Sequence, residues 1–251
     1  MVEGLDIFKE YFKEFTDSYV IIGGASCDYF LSDTGIGYRI TKDLDIVILL
    51  EVIDEKFNSK LQSFITDGGY SNIRKSTRDK VFYRFNDPKK NEYPKMIELF
   101  SRKPSFLNID KHQHIVPLSV EEEVNSLSAI LLNDDYYDMI KGNCVTENNV
   151  TFIKKEFIIP LKARAYLDNR KMKESGNKIQ ENDIVKHKND IFRIFQILSP
   201  ETRINLPELA KRDLTNFIKA MENEKVDLKN LGIKNEKKTD ILNMISRIYG
   251  L

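Results

Sequence analysis

Apolar positions in the first half of the chain follow two different periods. Residues 4–17 place apolar side chains on one helical face, and residues 53–66 repeat that pattern before the glycines of "DGGY". Between these segments, "SYVII" and the run at residues 43–50 are short and almost wholly apolar, which is typical of buried strands. The segment "ASCDYFLSD", between the two predicted strands, indicates a further helix.

Three segments with strand character come next. "YSNIRKST" and "KVFYRFND" predict a hairpin, and "YPKMIELFSRK" predicts a further strand. In that last segment Met96, Glu98 and Phe100 share one strand face, whereas Ile97 and Leu99 share the other. Together with the preceding elements, these predictions give a mixed α/β unit.

From about residue 119 onwards, the spacing of apolar side chains is that of helices. Apolar side chains recur at helical spacing in five segments: "SVEEEVNSLSAILL", "EFIIPLKARAYLD", "ENDIVKHKNDIFRIFQIL", "PELAKRDLTNFIKAM" and "KKTDILNMISRIYG". The tyrosines of "DDYYD" are expected to pack a helix, and the alternative is a surface on which nucleic-acid bases stack. The predicted fold class is therefore α+β, with a mixed sheet and helices in residues 1–110 and a helical domain in residues 111–251.

Composition narrows the class of protein. Of the 251 residues, 41% are hydrophobic and 31% are charged, which is typical of a globular chain rather than a disordered one. No apolar stretch approaches the length of a membrane span, and the charged N-terminus differs from a signal peptide. Cys27 and Cys144 show neither metal nor disulfide spacing. We therefore expect a cytoplasmic protein that does not act at a membrane.

Charge is distributed unevenly along the chain, although the net charge is zero. Residues 151–251 contain 21 Lys and Arg against 14 Asp and Glu, so residues 1–150 contain the other 18 of 39 basic and 25 of 39 acidic residues. An acidic first part suits cation binding, and a basic second part suits a polyanion. Chance in a lysine-rich chain would produce the same asymmetry, so it does not decide a function.

Two acids, Asp43 and Asp45, stand at the start of an otherwise apolar strand. Because side chains alternate along a strand, both carboxylates project from one face while Leu44 projects from the other. Two carboxylates this close repel each other, and a divalent cation that prefers oxygen ligands, such as Mg²⁺, would compensate. The alternative is a structural pair that forms salt bridges with Arg39 or Lys42.

Two further features of the first part suit a phosphorylated ligand and its metal. Gly23-Gly24 ends a strand and would expose amide N–H groups at the start of the next helix, where anions bind. Glu98 lies in an apolar strand, which is costly unless the carboxylate is paired or binds metal. The alternatives are an ordinary glycine turn and a glutamate that faces solvent from an edge strand.

Together, these residues resemble the signature of the DNA polymerase β-like nucleotidyltransferase superfamily. That signature is a hydrophobic residue, then Gly-Gly or Gly-Ser, then Asp-x-Asp or Asp-x-Glu, which here are Ile22-Gly23-Gly24 and Asp43-Leu44-Asp45. The segment "RITKDLDIVI" also resembles the AbiEii-type toxin nucleotidyltransferases, which are also called MenA toxins. Lys162 in "IIPLK" and Asp190 in "KHKNDIF" match later positions of that family in order and spacing.

The resemblance implies a nucleotidyltransferase fold and a two-metal site in the first domain. Asp43, Asp45 and Glu98 would bind two Mg²⁺ ions, with Glu98 as the base for an acceptor hydroxyl. A second set of residues would contact the phosphate oxygens of an NTP: Gly23, Gly24 and Ser26.

Four basic or acidic residues complete the implied site. Lys162 would contact the triphosphate, and Asp190 would orient Lys162 or a metal-bound water. Arg39 and Lys42 would neutralise phosphate charge. The alternatives are a surface lysine at 162, an i,i+3 pair between Asp190 and Arg193, and a role for Arg39 and Lys42 in balancing the Asp-x-Asp pair.

The predicted function is the Mg²⁺-dependent transfer of a nucleoside monophosphate from an NTP to an acceptor hydroxyl. By resemblance, the acceptor is an RNA such as the 3′ end of a tRNA, and the protein is a toxin with a separately encoded antitoxin. Protein hydroxyls and small molecules are the other acceptor classes. The alternative function is a non-catalytic nucleotide- or RNA-binding regulatory module with the same fold.

Overall fold

One mixed sheet organises the first part of the chain. A computed structural model describes residues 3–39, 41–71, 83–102, 115–117 and 128–251. Its strands are β1 (Tyr19–Ile22), β2 (Asp43–Ile48), β3 (Arg84–Asn86), β4 (Met96–Ser101), β5 (Ile115–Pro117), β6 (Ser128–Leu131), β7 (Cys144–Glu147) and β8 (Val150–Ile153). Their order across the sheet is β5-β6-β4-β2-β1-β8-β7, and β3 also pairs with β4.

Strand β2 lies at the centre of this sheet, between an antiparallel and a parallel neighbour. It pairs antiparallel with β1, where Ile22 stands opposite Asp45. It pairs parallel with β4, from Asp43 opposite Met96 to Val47 opposite Phe100. Since a slip of one residue would turn every side chain to the other face, these two registers determine which residues share a face with Asp43 and Asp45.

The described residues also contain eight α-helices and one 3₁₀ turn. The helices are α1 (Leu5–Phe12), α2 (Gly23–Leu31), α3 (Glu55–Gly68), α4 (Asp134–Gly142), α5 (Lys155–Glu174), α6 (Glu181–Phe195), α7 (Glu208–Asn223) and α8 (Lys238–Tyr249), and the turn covers Lys229–Leu231. The side chain of Asp54 caps α3 by accepting a hydrogen bond from the Phe57 N–H. No helix in this part of the chain is long and apolar enough to cross a membrane.

Aromatic side chains join α1 and α3 to the sheet. The rings of Phe8 and Phe12 stack at 4.5 Å, and Phe8 meets Tyr19 of β1 edge-on at 5.1 Å. Phe64 of α3 packs edge-on against Phe12 at 5.5 Å, and all four rings are buried. Each such ring stabilises the fold by roughly 1.5–3 kcal/mol. These phenylalanines therefore recur at helical spacing because they all pack into one apolar cluster.

The chain forms two compact units that do not follow the predicted boundary at residues 110 and 111. The first unit contains residues 1–28 and 40–153, and the second contains residues 29–39 and 154–251. The strands β5 to β8 and helix α4 therefore belong to the unit that contains the sheet. The sequence missed this because short apolar runs in residues 111–153 do not distinguish helix from strand.

Four of the five predicted C-terminal helices are confirmed as α5, α6, α7 and α8. The fifth prediction, a helix over "SVEEEVNSLSAILL", is wrong at its end, because Ser128–Leu131 is strand β6. β6 pairs parallel with β4, and such pairing overrides a weak helical period. Most of the hairpin predicted from "YSNIRKST" and "KVFYRFND", residues 72–82 with its turn, lies outside the described residues, whereas Arg84–Asn86 is a strand as expected.

Helix α5 contains Pro160, whose missing N–H would leave one backbone carbonyl of the helix without its usual donor. That carbonyl belongs to Glu156, four residues earlier. The hydroxyl of Tyr249, at the end of α8, donates a hydrogen bond to it. Tyr249 is 1% exposed, so the bond is made away from solvent. One phenol thus replaces an amide of α5 and connects α5 to α8.

The role of the Tyr249 hydroxyl as the donor that replaces the missing N–H of Pro160 can be tested by a double-mutant cycle. We expect Tyr249→Phe to lower the free energy of unfolding by about 1–3 kcal/mol, because it leaves the buried Glu156 carbonyl without a donor. In a Pro160→Ala background the alanine N–H supplies that donor, so the same change should be much less harmful. Urea unfolding of the four proteins measures both losses, and equal losses in the two backgrounds would contradict the interpretation.

Candidate functional site

The first group of predicted site residues lies on one face of the central strands. Asp43 and Asp45 are partly exposed, whereas Leu44 and Ile46 are buried on the opposite face of β2. Glu98 of β4 is also partly exposed and stands directly opposite Asp45 in the parallel register. Neighbouring strands lie about 4.8 Å apart, so directly opposite side chains are neighbours on the same face. The structure therefore brings Asp45 and Glu98 together.

Gly23 lies against the carboxylate of Asp45. It follows Ile22, the residue of β1 that pairs with Asp45, and its backbone has φ of +72°. A Cβ added at Gly23 would lie 1.9 Å from Asp45 Oδ2 and 2.9 Å from Asp45 Cγ. Both the left-handed backbone and this contact require glycine. The glycine turn and the Asp-x-Asp strand are thus parts of one local structure.

Gly24 has a second neighbour, Thr41, which the sequence did not single out. A Cβ at Gly24 would lie 3.0 Å from Thr41 Oγ1. Thr41 is 9% exposed, and its hydroxyl has no hydrogen-bond partner among the residues that the structure describes. A buried hydroxyl without a partner costs about 1–3 kcal/mol. The signal in the sequence was the position of this threonine two residues before Asp43, within the segment "RITKDLDIVI" that carries the resemblance.

Glu98 has a basic partner that the sequence also missed. Arg84 of β3 stands opposite Glu98 in an antiparallel register, and its Nε donates to Glu98 Oε1 at 2.6 Å. The side chain of Glu98 is 13% exposed, and β4 has neighbours on both sides. Glu98 is therefore not the solvent-facing residue of an edge strand. The partner could not be recognised because it depends on the register of two strands separated along the chain.

Two other residues of the first unit make contacts different from those expected at a phosphate site. The Ser26 side chain is completely buried, and its hydroxyl donates to the Ile21 carbonyl at 2.8 Å. This bond connects the first turn of α2 to β1, so the Ser26 hydroxyl is used in a hydrogen bond to the backbone. Lys42 forms an exposed ion pair with Glu3 at 3.6 Å.

The remaining predicted residues meet in the second unit, around Asp190 of α6. Lys162 Nζ of α5 lies 2.9 Å from Asp190 Oδ2, and both side chains are buried. Lys162 is therefore not a surface lysine. Arg39 donates to the same oxygen at 3.2 Å, as does the hydroxyl of Tyr38. The i,i+3 pair with Arg193 also exists, with its guanidinium 3.7 Å from Oδ1.

This Asp190 cluster, which consists of Asp190, Lys162, Arg39, Arg193 and Tyr38, places three cations around one carboxylate. Its formal charge is +2 when these ionisable side chains carry their ordinary charges. Next to it on α6, the pKa of His187 is lowered from 6.5 to about 3, by burial first and then by the cations Lys162 and Lys186. His187 is therefore neutral at pH 7.

The chemistry of the donors fits Mg²⁺ only in part. Carboxylate oxygens of Asp43 and Asp45 are ligands that Mg²⁺ prefers, and the orphaned hydroxyl of Thr41 lies beside the adjoining glycine turn. However, the described residues contain no group of three or more His, Cys, Asp or Glu side chains that could hold a metal ion. Glu98, the third ligand implied by the resemblance, is engaged by Arg84.

Comparisons of the chain with protein-family models, with curated proteins and with solved structures find no match. The resemblance to nucleotidyltransferases therefore rests on the sequence motifs alone.

We expect the contact between Gly23 and Asp45 to be visible in stability measurements. Gly23→Ala should lower the free energy of unfolding by about 3 kcal/mol or more, because positive φ alone costs about 1–2 kcal/mol and the methyl group also meets the carboxylate. Gly35→Ala is the matched control, since Gly35 has φ of +73° and nothing within 4 Å of an added Cβ. An equal loss for both variants in urea unfolding would contradict the contact, whereas Asp45→Ala should relieve Gly23→Ala.

The neutral state of His187 predicts a pH dependence. Its pKa in the folded protein, about 3, lies below its ordinary value of 6.5. The unfolded chain therefore binds the additional proton as pH falls below 6.5, and folding stability decreases in that range. We expect His187→Gln to flatten this decrease between pH 6.5 and about 4, measured by urea unfolding at each pH. Parallel curves for the variant and the wild type would contradict the prediction.

Proposed function

We propose that this chain is a Mg²⁺-dependent nucleotidyltransferase with a nucleotidyltransferase-type sheet in its first unit. The observation that carries the proposal is the position of Asp45, which stands opposite Glu98 on a parallel strand and packs against the glycine turn. A turn that suits phosphate, an Asp-x-Asp strand and a third carboxylate are the parts that phosphoryl transfer requires. Their adjacency supports a common role.

Asp43 and Asp45 are the proposed Mg²⁺ ligands, with Glu98 as the third carboxylate. When bound, Mg²⁺ neutralises triphosphate charge and makes a hydroxyl more acidic. Leu44, Ile46 and Val47 are buried, so β2 holds the two carboxylates on a rigid support. Rigidity matters because the catalytic groups must stay within about 0.5 Å of their productive positions.

The residues of the first unit have separate proposed roles in the transfer. Glu98 accepts the proton of the acceptor hydroxyl, whose oxygen forms a bond to the α-phosphorus of the NTP. The bond between that phosphorus and the pyrophosphate oxygen breaks, and pyrophosphate leaves. Helix α2 begins at Gly23, and the N–H groups of a first helical turn lack partners within the helix. Those of Gly23 and Gly24 are the proposed donors to phosphate oxygens.

The Asp190 cluster supports a nucleotide-binding role for the second unit. Three cations around one buried aspartate favour a polyanion such as a triphosphate. Asp190 holds Lys162 and Arg39 through one oxygen, which orients both cations. We therefore assign Lys162 and Arg39 to phosphate binding and Asp190 to their positioning.

The acceptor follows from the resemblance and from charge. The basic residues 151–251 support an RNA acceptor, and the resemblance to AbiEii-type toxins supports a tRNA 3′ end. A toxin of this kind would have a separately encoded antitoxin protein as its partner. Protein hydroxyls and small molecules are the competing acceptors.

Transfer can be tested with each of the four α-labelled NTPs, Mg²⁺, cell RNA and cell protein. We expect label in the RNA pool, and a loss of roughly 100-fold or more in Asp45→Asn, because that change weakens a proposed ligand of the Mg²⁺ that would stabilise charge on the reacting phosphate. Asp33→Asn, an exposed carboxylate of the same size, is the matched control and should transfer normally.

Three outcomes separate the alternatives. Undiminished transfer by Asp45→Asn would contradict the site. Label in protein alone would replace RNA as the acceptor. If no NTP gives a labelled product, yet NTP and Mg²⁺ raise the melting temperature, the protein is the non-catalytic binding module.

A further inference from the structure

Three side chains form a row across neighbouring strands of the first unit. Glu98 of β4 stands opposite Asp45 of β2 on one side and opposite Arg84 of β3 on the other. Directly opposite residues of a sheet share a face. The row Asp45-Glu98-Arg84 therefore consists of an acid, a second acid and a base, with Glu98 in the middle position.

Arg84 uses only one oxygen of Glu98. Its Nε donates to Oε1 at 2.6 Å, and an Nη of the same guanidinium also contacts Oε1. No residue that the structure describes donates a hydrogen bond to Oε2 of Glu98. The usual pairing of arginine with a carboxylate is bidentate and engages both oxygens. Here one oxygen is left for a second partner.

The two members of the pair differ in exposure. The Glu98 side chain is 13% exposed and that of Arg84 is 46% exposed. The carboxylate is fixed in a partly desolvated position, whereas the guanidinium extends from a three-residue strand into water. Because an exposed arginine pays little to exchange its partner for water, it is the member of the pair that can leave.

A separate observation indicates that this part of the sheet accommodates a ligand. The hydroxyl of Thr41 is buried and has no hydrogen-bond partner within the described residues. It lies beside Gly24, and the adjoining Gly23 contacts the Asp45 carboxylate. The Thr41 hydroxyl therefore adjoins the turn at Gly23-Gly24, and that turn adjoins the row of charged side chains at Asp45.

We propose that Arg84 is a positioning residue that competes with a divalent cation for Glu98. In the absence of metal, Arg84 neutralises Glu98 beside Asp45. When a divalent cation binds, Glu98 exchanges the guanidinium for the metal, and Arg84 swings into water. Arg84 thereby sets the metal concentration at which the site fills. This inference rests on the proposed function, because it takes the Asp-x-Asp strand as a metal site.

The test measures Mn²⁺ binding to the full chain by calorimetry, independently of activity. We expect Arg84→Met to tighten Mn²⁺ binding about tenfold, since the ion no longer has to displace a charge-assisted hydrogen bond from Glu98. Arg102→Met is the matched control, because Arg102 follows β4 at its other end and pairs with Glu51. It should change the affinity by less than about twofold.

A double-mutant cycle shows whether Arg84 acts through Glu98. In a Glu98→Gln background, Arg84→Met should change the affinity by less than about twofold, because the competition is already absent. Arg84→Lys retains the charge without the guanidinium and should lie between wild type and Arg84→Met. If Arg84→Met fails to fold, Arg84→Lys provides the comparison with wild type instead.

The results separate this inference from the proposed function. If Mn²⁺ binding depends on Asp45 but is unchanged or weaker in Arg84→Met, the competition is wrong and the metal site stands. An equal effect of Arg84→Met with and without Glu98 would also overturn it. If neither wild type nor Arg84→Met binds Mn²⁺ in a way that Asp45→Asn abolishes, both the inference and the metal-dependent function fail.

Discussion

The structure of the first unit depends on the position of one carboxylate, that of Asp45. Its Oδ2 occupies the space that a side chain at Gly23 would fill, and its strand neighbour is Glu98. If β2 slipped by one residue against β1 or β4, Asp45 would turn to the buried face and Leu44 would turn outward. The contact with glycine therefore excludes alternative registers, and through the register it determines which groups can act together.

That arrangement places charge where a sheet ordinarily holds apolar residues, and the surrounding residues offset the cost. The opposite face of β2 is completely apolar, and the ring cluster of α1, α3 and β1 adds several buried aromatic side chains. Arg84 balances Glu98 from the strand on the far side. Stability thus comes from the buried face and the helices, while Asp43 and Asp45 project from the other face of β2.

The sequence predicted elements well and relations between elements poorly. Helical periods located α5 to α8, and the apolar runs located β1, β2 and β4, because these patterns are local. Arg84 and Thr41 escaped notice, because their significance depends on cross-strand register and on a glycine contact that periodicity does not encode. The helix predicted over Ser128–Leu131 was wrong for a related reason. The apolar run by itself suits a helix, and only its pairing with β4 shows that it is a strand. The sequence paired Asp190 with Lys162 as a prediction, and only the structure shows that Arg39 contacts the same Asp190 oxygen as Lys162.

The Asp190 cluster is difficult to explain by stability alone. Removing charges from water costs several kcal/mol for each ion, and well-packed apolar residues often stabilise a helix pair equally well. Asp190 contributes one negative charge, whereas Lys162, Arg39 and Arg193 all place a cationic group within 3.7 Å of its carboxylate oxygens. An arrangement built only to join α5 and α6 would not need more cations than acids; in the contact between α5 and α7, one cation, Arg164, pairs with two acids, Asp168 and Asp213. Three cations on one buried acid are better explained by a function that uses their charge, which is the reason to assign them to an anionic ligand.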